Sequence, residues 1–154
     1  LEFRRVLFRS VCVFGAGNMG ARITEVFLTN GHEVTMLDVK QEFIDRGVKT
    51  ITNDLSFLVK KEKMTEEKKN ELLASLKTSL DRKAAADADF IMEVILERMD
   101  LKKELLQELD QICPAHTIFG SNTSALSITE MAASVPNRAD KVIGCHFFNP
   151  AQIM

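Results

Sequence analysis

Three features of this sequence predict an α/β fold built on a doubly wound, mostly parallel sheet. Short apolar runs alternate with stretches of helical periodicity along the chain. The first run, Val11-Cys12-Val13-Phe14, leads directly into Gly15-Ala16-Gly17-Asn18-Met19-Gly20, a G-x-G-x-x-G turn that opens a helix. Polar segments then follow or end different predicted strands, on the rim where an open parallel sheet gathers its ligands. Together these describe a Rossmann-type domain.

In the first turn Gly15 suits the tight bend, Gly17 the approach of backbone N–H groups to a pyrophosphate, and Gly20 close packing of helix on sheet. The helix N-terminus then faces the phosphates, so residues 15–20, Ala16, Asn18 and Met19 included, are candidate cofactor contacts. Ile23, Val26 and Phe27 continue the helical spacing, and Asn30-Gly31 ends it. Residues 33–37 form a second β-rich run that closes on Asp38. A carboxylate there, roughly 20 residues past the glycines, accepts both hydroxyls of an adenosine ribose and repels a 2′-phosphate. The expected cofactor is therefore NAD rather than NADP, with Lys40 the nearest cation.

Ile44, Val48, Ile51, Leu55, Leu58 and Val59 recur at spacings of three and four and predict a long amphipathic helix. It ends in Lys60, Lys61 and Lys63, where cations complement the helix dipole. Thr65 caps a further helix carrying Leu72, Leu73 and Leu76. A short strand over 77–80 and a small Ala-rich helix near 83–88 precede an apolar strand over 90–95, with Glu97 just beyond it. Leu101, Leu105, Leu109 and Ile112 mark one face of the next helix, which ends before Pro114. Residues 117–120 read as a strand, followed by Ser121-Asn122-Thr123-Ser124, in which Ser121 is expected to cap. A helix near 128–134, a Pro136-Asn137 turn and a last strand over 141–148, closed by Asn149-Pro150, complete the pattern.

The 154 residues, 45% of them hydrophobic, suffice for one ordinary core, and a net charge of −2 offers no electrostatic reason to seek nucleic acid. No apolar run approaches the ~20 residues that span a bilayer, so no membrane partner is expected. Cys12, Cys113 and Cys145 form no C-x-x-C pair, and two of them fall in predicted strands. They read as reduced core thiols, and no metal site is expected. Residues 1–10, arginine-rich and without a start methionine, read as a scar or non-native leader, or alternatively as the remnant of a transit peptide. Residues 11–154 are then one dinucleotide-binding domain, truncated at its C-terminus.

The GAGNMG turn, Glu97 with Lys102 five residues on, the HTIFGSNTSALSI run from His116 to Ile128 and the GCHFFNP run from Gly144 to Pro150 together resemble the NAD-dependent 3-hydroxyacyl-CoA dehydrogenases of fatty-acid oxidation and butyrate-type metabolism. The resemblance covers residues 11–154. It implies that Asp38 holds the adenosine ribose, that Glu97 and Lys102 line the nicotinamide side, that Ser124 touches cofactor and substrate, and that Asn149 contacts NAD. It makes His146 the catalytic acid/base, which accepts the hydroxyl proton as hydride leaves C3 of a 3-hydroxyacyl-CoA. An imidazole suits that work because its ordinary pKa lies near neutrality. In the reverse direction, on an acetoacetyl-CoA type substrate, His146 donates. His32 and His116, before predicted strands and opposite the ligand rim, are expected in ordinary surface roles.

Lys61 is the candidate contact for the coenzyme A phosphates. Seven residues before it the family carries a serine where this chain has Asp54, a departure that implies a different acyl-CoA pose or a contact from Ser56. The family's catalytic glutamate and its C-terminal helical domain are absent from this chain. The resemblance implies that this second domain forms the homodimer, and the chain alone is expected to be inactive. The cytoplasm is the expected compartment, or the mitochondrial matrix for a eukaryotic source. Two other readings are an NAD-binding module with a structural or regulatory role, and a 2-hydroxyacid-type dehydrogenase. His146 argues against the latter, whose members more often use a lysine from the later domain.

Overall fold

The computed structural model describes residues 8–152. Six parallel strands form one sheet: β1 (Ser10–Phe14), β2 (Glu33–Leu37), β3 (Lys77–Ser79), β4 (Phe90–Glu93), β5 (Ile118–Ser121) and β6 (Val142–Gly144). Their order across the sheet is β3-β2-β1-β4-β5-β6, so the chain reverses its direction of travel between β1 and β4. A crevice opens at such a switch point, outside the carboxyl ends of the strands. The leader expected over residues 1–10 lies mostly outside the described residues. At its end, Ser10 is already paired with Glu33 as the first residue of β1.

The period of two along β1 explains why helices cover both faces. Val11 and Val13 point into one core with Ile23 and Phe27 of α1 (Asn18–Thr29), Ile44, Ile51 and Leu55 of α2 (Gln41–Lys60), and Leu72 of α3 (Glu66–Ser75). Cys12 and Phe14 point into the other, with Leu105, Leu106 and Leu109 of α4 (Met99–Ile112) and Met131 of α5 (Ile128–Ala133). A strand buried on both faces reads as a continuous apolar run, which is what residues 11–14 are. Burial pushes the Cys12 thiol up to about 12 and the Cys113 thiol up to about 11, so both behave as core residues.

Several boundaries differ from those expected. The strand predicted over 90–95 stops at Glu93, because Val94 N–H makes the last bond to β1, at Phe14 O (2.8 Å), where β1 turns away at Gly15. The strand predicted over 141–148 shrinks to Val142–Gly144 for the same reason. Cys145 N–H reaches Ser121 O at 2.8 Å, β5 ends there, and Phe147 N–H bonds to a side chain instead. Cys145 consequently lies outside a strand. The Ala-rich helix is a single 3-10 turn, Arg82–Ala85. On α4 the buried stripe is Lys102, Leu105, Leu106 and Leu109, rotated from the expected one so that a lysine faces inward.

The amino ends of the strands hold the other two histidines, as expected. Asp89 accepts Arg9 N–H (2.7 Å), Ser10 N–H (3.0 Å) and His116 Nε2 (2.9 Å), and the backbone donors from Ser10 and Arg9 hold its carboxyl well below the usual range. His32 stacks on Phe8 at 5.4 Å.

One buried group opposes the fold at high pH. Glu25 on α1 is 2% exposed, and its Oε2 has no hydrogen-bond partner among the described residues. Burial, reinforced by Asp54 and only partly offset by Arg22, pushes its carboxyl up to about 7. A carboxyl whose folded pKa is raised stabilises the fold below its unfolded pKa, and that stability is lost as pH rises through the folded value. Unfolding free energy from urea melts should therefore fall by about 2 kcal/mol between roughly pH 5 and pH 8 through this residue. Glu25→Gln should flatten that slope.

Candidate cofactor site

The turn between β1 and α1 is built by close backbone approach. Gly15 lies at φ +111°, and a Cβ there would fall 2.4 Å from Val94 O; a Cβ on Gly20 would fall 1.7 Å from Gly15 O. Neither position admits a side chain without moving backbone. Gly17 differs: a Cβ there meets nothing within 4 Å, because it faces the open crevice. Asn18 is exposed beside it and accepts a hydrogen bond from Arg22, while Met19 packs half-buried on the core.

Asp38 is bonded directly to this turn. Its Oδ2 accepts Ala16 N–H at 2.7 Å and its Oδ1 accepts Val39 N–H at 2.7 Å, so the carboxylate is oriented by backbone before any ligand arrives. A cleft of about 700 Å³ lies over these residues. Gly15, Ala16, Gly17, Asn18 and Asp38 line it, with Val39, Phe43 and Leu80 as apolar wall on one side and Val94, Ile95, Leu96 and Leu101 on the other. The apolar walls, the exposed loop N-terminal to α1 and the fixed carboxylate fit an adenine nucleotide with its ribose and pyrophosphate.

A second cluster of polar groups stands at the carboxyl ends of β4 and β5. Lys102 is 1% exposed; its Nζ donates to Glu93 Oε1 at 2.6 Å and lies 3.3 Å from Glu97 Oε2. Glu97 also accepts from Thr123 Oγ1 and from the backbone of Ser124. Partial burial opposes its ionisation, but the hydrogen bonds from Thr123 and Lys102 and the charge of Lys102 outweigh it and hold the carboxyl below its usual value. Ser121, expected as a cap, accepts Thr123 N–H at 3.4 Å and also donates to Glu93; the turn is closed by Thr123 Oγ1, which accepts Leu126 N–H at 2.9 Å, and Ser127 caps α5. Ser124 itself is exposed. Sequence reasoning singled out Glu97, Lys102 and Ser124 but missed Glu93 and Thr123. The available signal was Glu93, the only charged residue in its apolar run, which needs a buried partner.

His146 and Asn149 are exposed on the segment after β6, with the His146 ring 4.8 Å from that of Phe148. Asn122 ties this segment to the Ser124 loop by accepting Phe147 N–H at 2.7 Å. Lys61, at the C-cap of α2, is exposed with its Nζ 5.5 Å from the Phe57 ring. Asp54 does not present a free charge: its Oδ2 takes Arg22 Nε and Gln152 Nε2, each at 3.1 Å, which links α2 to the chain just past Asn149.

Fold, glycine turn and oriented acid define a dinucleotide-binding Rossmann domain. Residues 10–154 match the sequence profile of the 3-hydroxyacyl-CoA dehydrogenase NAD-binding domain. The chain belongs to that family, and its cofactor is NAD. It is 40% identical over 146 residues to a probable 3-hydroxybutyryl-CoA dehydrogenase of Bacillus subtilis, covering 95% of this chain and 50% of that protein. It is 39% identical over 158 residues to the mitochondrial hydroxyacyl-coenzyme A dehydrogenase of Rattus norvegicus, covering 98% and 50%. Among solved structures, the (S)-3-hydroxybutyryl-CoA dehydrogenase of Ralstonia eutropha superposes with a TM-score of 0.90 at 40% identity, over 96% of this chain and 52% of that one. The chain thus spans about half the length of these relatives. No described helix is long and apolar enough to cross a membrane.

The glycines separate folding from binding. Gly20→Ala should cost about 4 kcal/mol or more in a urea melt, since the backbone must move to admit the methyl group. Gly17→Ala should cost only about 1 kcal/mol, yet weaken NADH at least tenfold by fluorescence titration, because its methyl group projects into the open cleft.

Proposed function

We propose that this chain is the cofactor half of an enzyme that interconverts 3-hydroxyacyl-CoA and 3-ketoacyl-CoA, with His146 as acid/base. The observation that carries the reading is the link from Asn122 to Phe147 N–H, which joins the segment bearing His146 to the loop bearing Ser124 on the rim that also holds the cofactor cleft. NAD, when bound, supplies the hydride acceptor. His146 takes the proton from the substrate's C3 hydroxyl as it becomes a carbonyl and returns it in the reverse direction. Ser124 orients that oxygen, Glu97 and Lys102 border the nicotinamide, and Asn149 adds a polar contact to the cofactor.

Lys61 meets the phosphates of coenzyme A. The pairing of Asp54 with Arg22 supports this, because the guanidinium offsets the charge that would otherwise repel an anion beside Lys61. A helical second domain supplies the other wall of the substrate pocket, a carboxylate for His146 and the homodimer contact. The working protein belongs in the cytoplasm, or in the mitochondrial matrix of a eukaryote.

Cofactor choice follows from Asp38. NADH should bind more tightly than NADPH, and Asp38→Ala should narrow the ratio of the two dissociation constants; a ratio untouched by the substitution would assign Asp38 to the turn alone.

Catalysis is read in the protein carried through its second domain. There His146→Ala should lower kcat by on the order of 10²-fold or more while NADH binding is nearly unchanged. The chain as given should show essentially no turnover in the same NADH-formation assay, because one wall cannot hold C3 within about 3.5 Å of the ring. Comparable rates from the two would overturn the assignment.

A further inference from the structure

We propose that Glu93 is a positioning residue for the nicotinamide half of the site, acting through Lys102 on Glu97 and through Ser121 on the Ser124 loop. The inference rests on the NAD reading above and names a residue with no access to the cofactor: Glu93 is fully buried at 0% exposure.

Every bond of its carboxylate leads to a segment that reaches the rim. Oε1 accepts Lys102 Nζ at 2.6 Å and Ile95 N–H at 2.8 Å, and Oε2 accepts Ser121 Oγ. Lys102 Nζ in turn donates to Ile95 O at 3.4 Å and stands 3.3 Å from Glu97 Oε2. The loop from β4 to α4 is therefore held from beneath by the Glu93–Lys102 pair, and Val94, Ile95 and Leu96 of that loop line the cleft. On the other side, Ser121 Oγ accepts Thr123 N–H at 3.4 Å, Glu93 O accepts Asn122 N–H at 2.9 Å, and Thr123 donates to Glu97. One carboxylate thus sits where two loops are joined, and Glu97 is the point at which they meet.

The charges explain why the arrangement needs Glu93. Lys102 is a single buried cation between two carboxylates, one fully buried and one 44% exposed. With Glu93 present, Lys102 is anchored at the shorter contact, and Glu97 keeps bonding capacity toward the rim. Without it, the desolvated ammonium has only Glu97 to neutralise it and draws that carboxylate inward, away from the cleft. The adenosine half of the site meets these bonds only through the apolar wall of Val94, Ile95 and Leu96, while its carboxylate, Asp38, is oriented by Ala16 and Val39 N–H groups. Loss of Glu93 should therefore be felt chiefly by the nicotinamide, on the side of Glu97 and Ser124, and far less by the adenosine diphosphate moiety.

The test compares NADH with ADP-ribose, which lacks the nicotinamide, by calorimetric titration of the full-length protein. Glu93→Gln should weaken NADH about tenfold and leave ADP-ribose within about twofold. In a Glu97→Ala background it should have no further effect on the NADH to ADP-ribose ratio, since residues acting through one group are not additive. If Glu93→Gln does not fold, Ser121→Ala, which removes the bond to Glu93 and the one from Thr123 N–H but leaves the ion pair, takes its place with a smaller shift of the same kind. Equal weakening of both ligands, unchanged NADH binding, or additivity with Glu97→Ala would overturn the proposal. Failure of the unsubstituted protein to bind either ligand would instead overturn the NAD reading itself.

Discussion

The approach of α1 to the end of β1 is the constraint on which the rest depends. A glycine carbonyl at position 15 occupies the space a side chain at position 20 would need, so the helix starts directly over the strand. This places the first turn of α1 at the switch point between β1 and β4 and leaves Gly17 facing the crevice. The same geometry presents Ala16 N–H to Asp38, which lies next in space because β2 pairs with β1. The glycine turn and Asp38 are therefore one mechanical unit.

The second half of the rim is organised differently. Between β4, α4 and β5, loops are held by buried charge rather than by close backbone packing, with Lys102 on the inward stripe of α4 and Glu93 at the end of β4. A buried pair of this kind costs much desolvation, and it is tolerated where each remaining lone pair and proton finds a partner. Here Ser121 and Ile95 N–H complete the set. The polar network fixes direction where the glycine turn fixes distance, and both end on the same carboxyl edge of the sheet.

The glycine turn and Asp38 were legible because their spacing is local and each residue type has few other uses there. The core of β1 was legible because Val11, Cys12, Val13 and Phe14 leave no polar face. The orientation of α4 was not: Leu101, Leu105, Leu109 and Ile112 form a plausible apolar stripe, and nothing nearby reveals that Lys102 turns inward. That choice depends on Glu93, which is 9 residues away in sequence and meets Lys102 only after β4 has joined the sheet. The length of the last strand was likewise misjudged, since Cys145, His146, Phe147 and Phe148 have a strand-like composition but no partner beyond Ser121.

By itself the sequence determined the alternation of elements, the glycine turn, the acid at the end of the second strand and the residues that resemble a dehydrogenase rim, because periodicity and turn chemistry are written in neighbouring residues. The tertiary structure alone decided which charges are buried together, where each strand stops, and that Asp54 pairs with Arg22 and accepts a hydrogen bond from Gln152. These depend on contacts between residues far apart in the chain, and a hydrogen-bond partner or the end of a neighbouring strand exists only once the sheet has assembled.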